Sequence, residues 1–594
     1  MSKLTDLFGE LRRRRVFGMT AIYVVAAWVV VQVTDLVLPA LNIPDSAIRY
    51  AWLAVIVGFP IAVVFSWRYD ITTEGIRRTP ALREGASADR SLRRIDYGVL
   101  AVLGLAACGI LFSAGQRFAE VRTETAMAPT TRVITPNSIA VLPLESLSPD
   151  PGDAFFAAGV HDALITNLSK VTALMVTSRM STRRISPELS VPEIGRQLGV
   201  AKLLEGSVLV DRDKVRVVVQ LIDAASDLNL WAETFERDMT DIIGLQNDVA
   251  RTVAEVIDVR LTPQEESALA KAPPVDPKTY RAYLRGMYQF FQETPEADQR
   301  GVEMLEDVAR QDPDSALAHA GLSYGYASIG HTPPFPAWSH LKAKAAADRA
   351  LELEPLLAEA HMAVGMYHMM YTWDLEAAES STQRAIDLNP SLALAHYDLG
   401  WLYELLGPEW EEESLAEAER ARDLNPFNPV FIAGLAWQYA DACRFDDALS
   451  TAREAIRLHP DHPYSWMALG IVHTELGQFD EAIQAHRKLE GTGFSWLLPI
   501  TYAAAGLEDK AREIAAEFHA VPGAEVALAW IYMNLGDHEA ALEWMAAAES
   551  AHHAWYPWLL GMFHGSEFVA DNAAYQARAA ALGLPDPQTM GCTG

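Results

Sequence analysis

The chain begins with three long apolar runs, at 17–38, 50–67 and 97–114. Each is about as long as a helix must be to cross a bilayer, roughly 17–25 residues. The third, GVLAVLGLAACGILFSAG, carries no charge, and Pro60 inside the second is tolerable in a membrane helix. The pattern then changes. Residues 116–136 are polar, contain Pro129 and Pro136, and predict a linker. Beyond it, short strands and helices alternate to about residue 262. Strands are expected at 138–142 and 174–178, with a helix over 153–170 that places Phe156, Val160, Leu164 and Leu168 at helical spacing. A short helix, VPEIGRQLG, leads into a hairpin of 202–210 and 215–223 about the turn 211–214. A strand at 229–235 and a helix over 241–261 close this region. From 279 onward the apolar spacing is helical throughout.

Charge orients the apolar head. Residues 1–115 hold 13 Lys/Arg against 9 Asp/Glu, whereas the chain as a whole has a net charge of -30 and a pI near 4.9. Lys3 and Arg12 to Arg15 precede the first run. Arg68, Arg77, Arg78, Arg83, Arg90, Arg93 and Arg94 fill the segment after the second, while only Arg49 lies between the first two. By the positive-inside rule the amino terminus and residues 68–96 are cytoplasmic, and three crossings leave everything after about residue 116 outside. The expectation is therefore a membrane protein whose body lies outside the cytoplasm, which in a bacterium means an inner-membrane protein with a periplasmic body. Leu105-Ala106-Ala107-Cys108 has the look of a lipid-attachment box, but the apolar run continues through Phe112, so Cys108 is read as an ordinary membrane cysteine. The acidic body excludes nucleic acid, which needs clustered Lys/Arg. Three cysteines in 594 residues exclude a disulfide framework and a cysteine-built metal site.

The segments SIAVLPLESLSPD, FFAAGVHDALITNLSKV, VPEIGRQLGV, LLEGSV, VQLIDA, LWAETFERD and DIIGLQNDVA occur in order over about 125 residues. As a set they resemble the TolB amino-terminal-like (FlgO-type) domain, with Leu144 where an aromatic is usual and His161 where a small polar residue is expected. The resemblance implies a small α/β domain ahead of a helical repeat in a bacterial membrane protein. Some such proteins carry a cytoplasmic nucleotide-cyclase or winged-helix domain before the anchor. Neither is expected here, because about fifteen residues precede the first run and about thirty lie in the loop.

In the tail, Pro313, Pro355, Pro390, Pro426 and Pro460 close successive segments at intervals of 42, 35, 36 and 34. A large apolar residue, a small one, and an aromatic or His three later recur as Leu399-Gly400-Tyr403, Leu435-Ala436-Tyr439, Leu469-Gly470-His473 and Leu528-Ala529-Tyr532. Close-packing alanines follow at Ala448, Ala455, Ala482, Ala541 and Ala548, and the ends read DLNP, DLNP and RLHP. This pattern strongly resembles the tetratricopeptide repeat, whose period is about 34.

Apparent catalytic motifs dissolve on placement. Gly321-Leu322-Ser323-Tyr324-Gly325 matches a nucleophile elbow, but Ser323 falls at the small-residue position of a repeat helix rather than at a strand-to-helix turn. His361 with His368, and His552 with His553, lack carboxylates at ligand spacing. No catalytic residue, metal site or cofactor is expected, and the protein is read as not an enzyme. Two binding sites are. The residue after the packed small one is rotated about 100° from that contact. By resemblance to tetratricopeptide proteins, it lines the concave face. Tyr324, Met366, Trp401, Trp437, Ile471 and Trp530 hold that position, with Tyr397, Tyr464 and Met467 beside it. Packing of these side chains against the next repeat is the competing reading. The strand end Ser178, Arg179, Ser181 and Arg183 offers hydroxyls and guanidiniums for an anion.

The sequence thus predicts a multi-domain protein. It has a membrane anchor with three transmembrane helices over 1–115, a linker over 116–136 and an α/β domain over 137–262. An all-α tetratricopeptide-repeat solenoid of about eight repeats follows over 279–556, with a cap and tail over 557–594. The expected function is a non-catalytic, membrane-anchored scaffold or adaptor that takes a protein or peptide in a periplasmic groove. The alternative is a periplasmic ligand sensor whose α/β domain signals across the membrane.

Overall fold

The computed structural model describes residues 69–72, 75–78, 134–148, 154–270, 274–290, 295–330, 336–561 and 572–585. The chain divides into two units, Met1–Thr131 and Arg132–Gly594. In the first, β1 (Tyr69–Thr72) and β2 (Gly75–Arg78) form an antiparallel hairpin, with Tyr69 opposite Arg78.

The second unit opens with a sheet of β3 (Thr135–Val141), β4 (Glu145–Ser146), β5 (Met175–Val176), β6 (Val200–Asp211), β7 (Lys214–Asp223) and β8 (Leu228–Asp238). The order is β5-β3-β6-β7-β8, and β4 also pairs with β6. β3 runs parallel to both β5 and β6, while β6, β7 and β8 form an antiparallel meander. Helices Ala154–Ser169 and Ile242–Val256 cover one face, where Val160, Leu164, Leu168, Leu245, Val249 and Val253 meet Ile139, Val141, Leu204 and Val217. The short helix Val191–Leu198 covers part of the other face and packs Ile194 and Leu198 on Ala140 and Leu203. Its start is fixed by Ser190, whose N–H donates to Glu193 at 3.0 Å, and its end by Gly199 in the left-handed region. The helix expected over 241–261 stops at Val256, and a separate helix follows, Pro263–Ala270. Asp258 breaks the turn at φ 59°, and Glu265 then accepts from the Thr172 and Thr262 N–H groups.

Eight helix pairs follow among the described residues. They are Pro277–Phe290 with Pro295–Gln311, Ala316–Gly330 with Ala337–Leu353, Ala358–Tyr367 with Leu375–Leu388, and Ala393–Leu406 with Glu411–Leu424. Then come Pro429–Asp441 with Phe445–Leu458, Pro463–Glu475 with Phe479–His486, Leu497–Ala504 with Glu508–Phe518, and Glu525–Asn534 with His538–Ser550. Helices Tyr556–Gly561 and Ala573–Ala581 end the described chain. The small residue of each pattern is where the paired helices approach. A Cβ on Gly400 would stand 3.1 Å from the Ser414 carbonyl and 3.3 Å from the Ala418 nitrogen. Only a hydrogen fits there at no cost.

The expectation of three transmembrane helices, and of an inner-membrane protein with periplasmic domains, is corrected. Among the described residues no helix is long and apolar enough to cross a membrane. The longest, Pro295–Gln311 and Ala337–Leu353, have 17 residues and carry several charges. Seventeen residues rise about 26 Å against the roughly 30 Å of a hydrocarbon core. The runs 17–38, 50–67 and 97–114, and the box at Cys108, lie outside the described residues.

Candidate functional site

The repeat pattern places Trp401 and Trp437 one step beyond Gly400 and Ala436, on successive first helices. Their indoles meet edge to face, with centroids 5.4 Å apart. Tyr397 lies 6.1 Å from Trp401 and stacks on Phe431 at 4.8 Å. Three repeats further on, Trp530 stacks on Trp496 at 5.0 Å. Trp555 joins the two groups, 6.3 Å from Trp437 on one side and 6.3 Å from Trp530 on the other. A continuous chain of five indoles therefore runs Trp401, Trp437, Trp555, Trp530, Trp496.

Trp555 is not a repeat position. It belongs to the segment after the last repeat helix, which turns back at His552 (φ 49°) and runs to Gly561. This segment touches repeats far up the chain. His552 stacks on Tyr371 at 4.9 Å and on Trp373 at 5.3 Å, and Tyr556 lies 4.8 Å from Trp373. Gly561 packs against the end of the Leu405 side chain, which a Cβ there would push aside. The Tyr371 and Trp373 rings are set by a π-helical turn, His368–Thr372, after which Trp373 adopts φ 57°. Such turns are rare and concentrate at functional sites. Tyr575 then locks the segment from behind: it is fully buried and its hydroxyl donates to the Leu560 carbonyl.

Of the nine groove residues expected from sequence, Met366, Trp401, Trp437, Met467, Ile471 and Trp530 are buried, and Tyr324, Tyr397 and Tyr464 are half-buried. The structure brings together Tyr397, Trp401 and Trp437 directly, and Trp530 through Trp555. Tyr324 instead meets Phe290 at 5.6 Å, and Tyr464 meets Phe494 at 4.7 Å. Sequence reasoning missed Trp373, Trp496, Trp555 and Trp558. The signal for two of them was the aromatic density of HHAWYPWLLG, which a repeat period does not interpret.

Buried acids share this face. Asp398, 1% exposed, has its carboxyl pushed up to about 8 by burial. Burial also raises Glu404, and burial together with the Glu404 charge raises Asp441 well above the carboxylate range. Both Glu404 oxygens, one oxygen of Asp398 and one of Asp441 are buried without a well-formed hydrogen bond. Glu475, one repeat later, is likewise raised by burial.

The residues expected to hold an anion occupy a joint between the α/β region and the repeats. The Ser181 hydroxyl donates to Asn425 at 2.6 Å and accepts from the Phe427 N–H at 3.1 Å. The Ser178 N–H donates to the Leu424 carbonyl, and Arg179 pairs with Asp162 at 2.9 Å. Arg183 is exposed at the end of its short helix. Nearby, Arg184 reaches the Phe427 carbonyl and His459, whose imidazole is pushed down to about 4 by burial and by that guanidinium. One repeat before Asn425 the Ser391 hydroxyl accepts from Val176 N–H and lies 3.3 Å from the Leu174 carbonyl. The polar residues at or beside the ends DLNP, DLNP and RLHP (Ser391, Asn425, His459) are thus where the array receives β5 and the short helix Arg179–Arg183. On the other side of that helix His161, buried, lies 2.9 Å from the Val141 carbonyl through Nε2.

The chain contains tetratricopeptide repeats. Family models described as tetratricopeptide repeat match residues 434–492 and 526–551. Over residues 135–252 the matching model is that of the HilA/YgeH-like transcriptional regulator, second domain. A curated relative, putative adenylate cyclase 3 of Rhizobium meliloti (strain 1021), is 36% identical over 187 residues, which is 31% of this chain and 32% of that protein. The chain thus spans about a third of the curated relative it matches. Solved structures similar to parts of it include TTC0263, a thermophilic tetratricopeptide protein of Thermus thermophilus (18% identity, 33% of this chain, 98% of that one, TM-score 0.28). Others are pilF of Pseudomonas aeruginosa (15%, 36%, 92%, 0.28) and YrrB, a tetratricopeptide protein with an unusual peptide-binding site (17%, 36%, 98%, 0.25). At these scores the likenesses bear on no residue of the groove.

Proposed function

We propose that this protein is a non-catalytic scaffold or adaptor that binds a protein or peptide segment in the concave groove of its repeats. The observation that carries this reading is the indole chain from Trp401 to Trp496, completed by Trp555 of the chain's own segment 552–561. An aromatic-rich segment lying across several repeats is how an incoming peptide would use such a groove, because aromatics deliver most of the binding energy where they fill pockets. The partner is accordingly a segment carrying aromatic and apolar side chains. The α/β region, whose motifs resemble the TolB amino-terminal-like domain and which matches the HilA/YgeH-like second-domain model, is read as a module docked on the repeat corners. The curated relative's cyclase name belongs to that protein, of which the match covers 32%.

The test uses the full chain. Trp555→Ala with Trp558→Ala loosens the resident segment, and a labelled synthetic peptide of residues 551–561 is added in trans. The variant is expected to bind the peptide at least about tenfold more tightly than the unaltered chain does, since the groove is vacated. A variant that keeps its helical spectrum and binds no peptide would overturn the reading.

A further inference from the structure

From the third helix pair to the eighth, the turn between the two helices holds a residue of positive φ. Four of these turns use glycine: Gly407 (φ 115°), Gly477 (φ 67°), Gly506 (φ 73°) and Gly536 (φ 68°). The other two do not: they use Trp373 (φ 57°) and Cys443 (φ 58°). A side chain in that region strains the backbone, and such strain persists where something else requires the residue. For Trp373 the requirement is visible, since its ring receives His552 and Tyr556 of the returning segment. Cys443 is exposed and is one half of a disulfide.

The chain has two other cysteines, Cys108 and Cys592, both outside the described residues. Three cysteines are too few for a framework but enough for one bridge. The path of the returning chain distinguishes the two partners. After the turn at Trp373 comes the turn at Gly407, where a Cβ would stand only 2.8 Å from the ring of Pro585. The next turn is Cys443. The carboxyl-terminal chain thus meets successive turns in order, residues 552 and 556 at Trp373 and residue 585 at Gly407. Cys592 lies seven residues beyond Pro585. Seven extended residues reach roughly 23 Å, against roughly 10 Å between helices packed side by side. Cys108 has no such placement: it belongs to the unit Met1–Thr131 and to an apolar run of it.

We propose that Cys443 and Cys592 are joined in a disulfide that clasps the carboxyl-terminal chain across the repeats, so that its reduction frees segment 552–561. The release rests on the proposed groove, whereas the bridge does not. Helix Ala573–Ala581 links the two. Its Tyr575 hydroxyl donates to the Leu560 carbonyl, and Arg578 pairs with Glu549 at 3.2 Å. Leu584 shares a core with Tyr556 and Trp558. With the tail bridged at Cys443, this helix is tied down on both sides. With the bridge open, noncovalent contacts alone hold it against the segment. The bridge forms by exchange with a small disulfide such as oxidised glutathione. The Cys443 thiolate attacks one sulfur of the reagent and expels its other half as a thiolate. The Cys592 thiolate then attacks the Cys443 sulfur and expels the second half. Two electrons pass from the cysteines to the reagent, and their two protons end on the two released thiols. A dithiol reverses both steps.

The full chain is incubated with oxidised glutathione at pH 8 and digested with trypsin without reduction, and mass spectrometry reads the linkage. A species joining fragments 423–444 and 579–594 is expected. Dithiothreitol should lower the melting temperature of the parent by a few degrees and leave that of Cys443→Gly unmoved. Glycine suits this φ, so the variant loses the bridge without losing the turn. Calorimetry should find that the reduced parent binds the 551–561 peptide at least about tenfold more tightly than the oxidised parent. Cys443 recovered as a thiol or a glutathione adduct, or joined to Cys108, would overturn the bridge. A melting temperature indifferent to reduction, or equally tight peptide binding by the oxidised and reduced chains, would overturn the clasp. If the bridge forms and its reduction lowers the melting temperature, but neither form binds the peptide, the bridge stands and the groove reading fails.

Discussion

Asp398 sits 1% exposed on the first helix of its repeat, with one carboxyl oxygen unpartnered. Burial pushes the pKa of its carboxyl up from 3.8 to about 8 in the folded chain. The sign follows directly. Between pH 4 and 8 the unfolded chain has released this proton and the folded chain still holds it, so the stability this group contributes is present below about pH 4 and is lost as pH rises through 8. Asp398→Asn removes the titration while keeping the shape. Chemical denaturation should find the variant level with the parent near pH 4 and more stable at pH 8, by up to about 5 kcal/mol if the whole shift is realised. A variant less stable than the parent at pH 8 would mean that the carboxylate has a partner which repays its burial. His161 has the opposite sense. Burial lowers it to about 4, so its contribution is lost as pH falls from 6.5 toward 4.

At the scale of elements, the α/β region and the repeats are fastened by a few bonds that neither segment predicts alone. Ser181 and Asn425 are 244 residues apart in the chain, and each looks in isolation like a helix-end residue. Ser181→Ala leaves the Asn425 oxygen and the Phe427 N–H unsatisfied in a buried place, which costs about 1–3 kcal/mol. The melting temperature should fall accordingly, while an unchanged one would show that the joint opens to water. The same distance explains what the sequence could and could not disclose. The repeat helices were legible because small residues such as Gly400, Ala436 and Gly470 mark helix crossings locally, and the meander because VRVVVQLID alternates. His552 on Tyr371, Trp555 on Trp437 and Gly561 on Leu405 were not, because no local period links residues so far apart. Ser181 and Arg179, two of the residues expected to hold an anion, likewise have partners on elements that only the tertiary fold brings near.

For the molecule as a whole, the segment 552–561 lies against the repeat face proposed as the groove. The one-step-past-glycine rule found Trp401 and Trp437, and it treated their exposure as the question. Both are buried: Trp401 between Tyr397 and Trp437, and Trp437 beside Trp555 of the segment 552–561. The expectation of a three-helix membrane anchor concerned residues outside those described, and no described helix bears it out. Hydrogen exchange of the full chain, followed by mass spectrometry with and without an excess of the 551–561 peptide, tests the self-filled groove most directly. The account predicts that amides 556–561 exchange slowly in the free protein and become fast when the added peptide takes their place. Fast exchange of 556–561 in the free protein, or continued protection while the peptide is bound elsewhere, would contradict it.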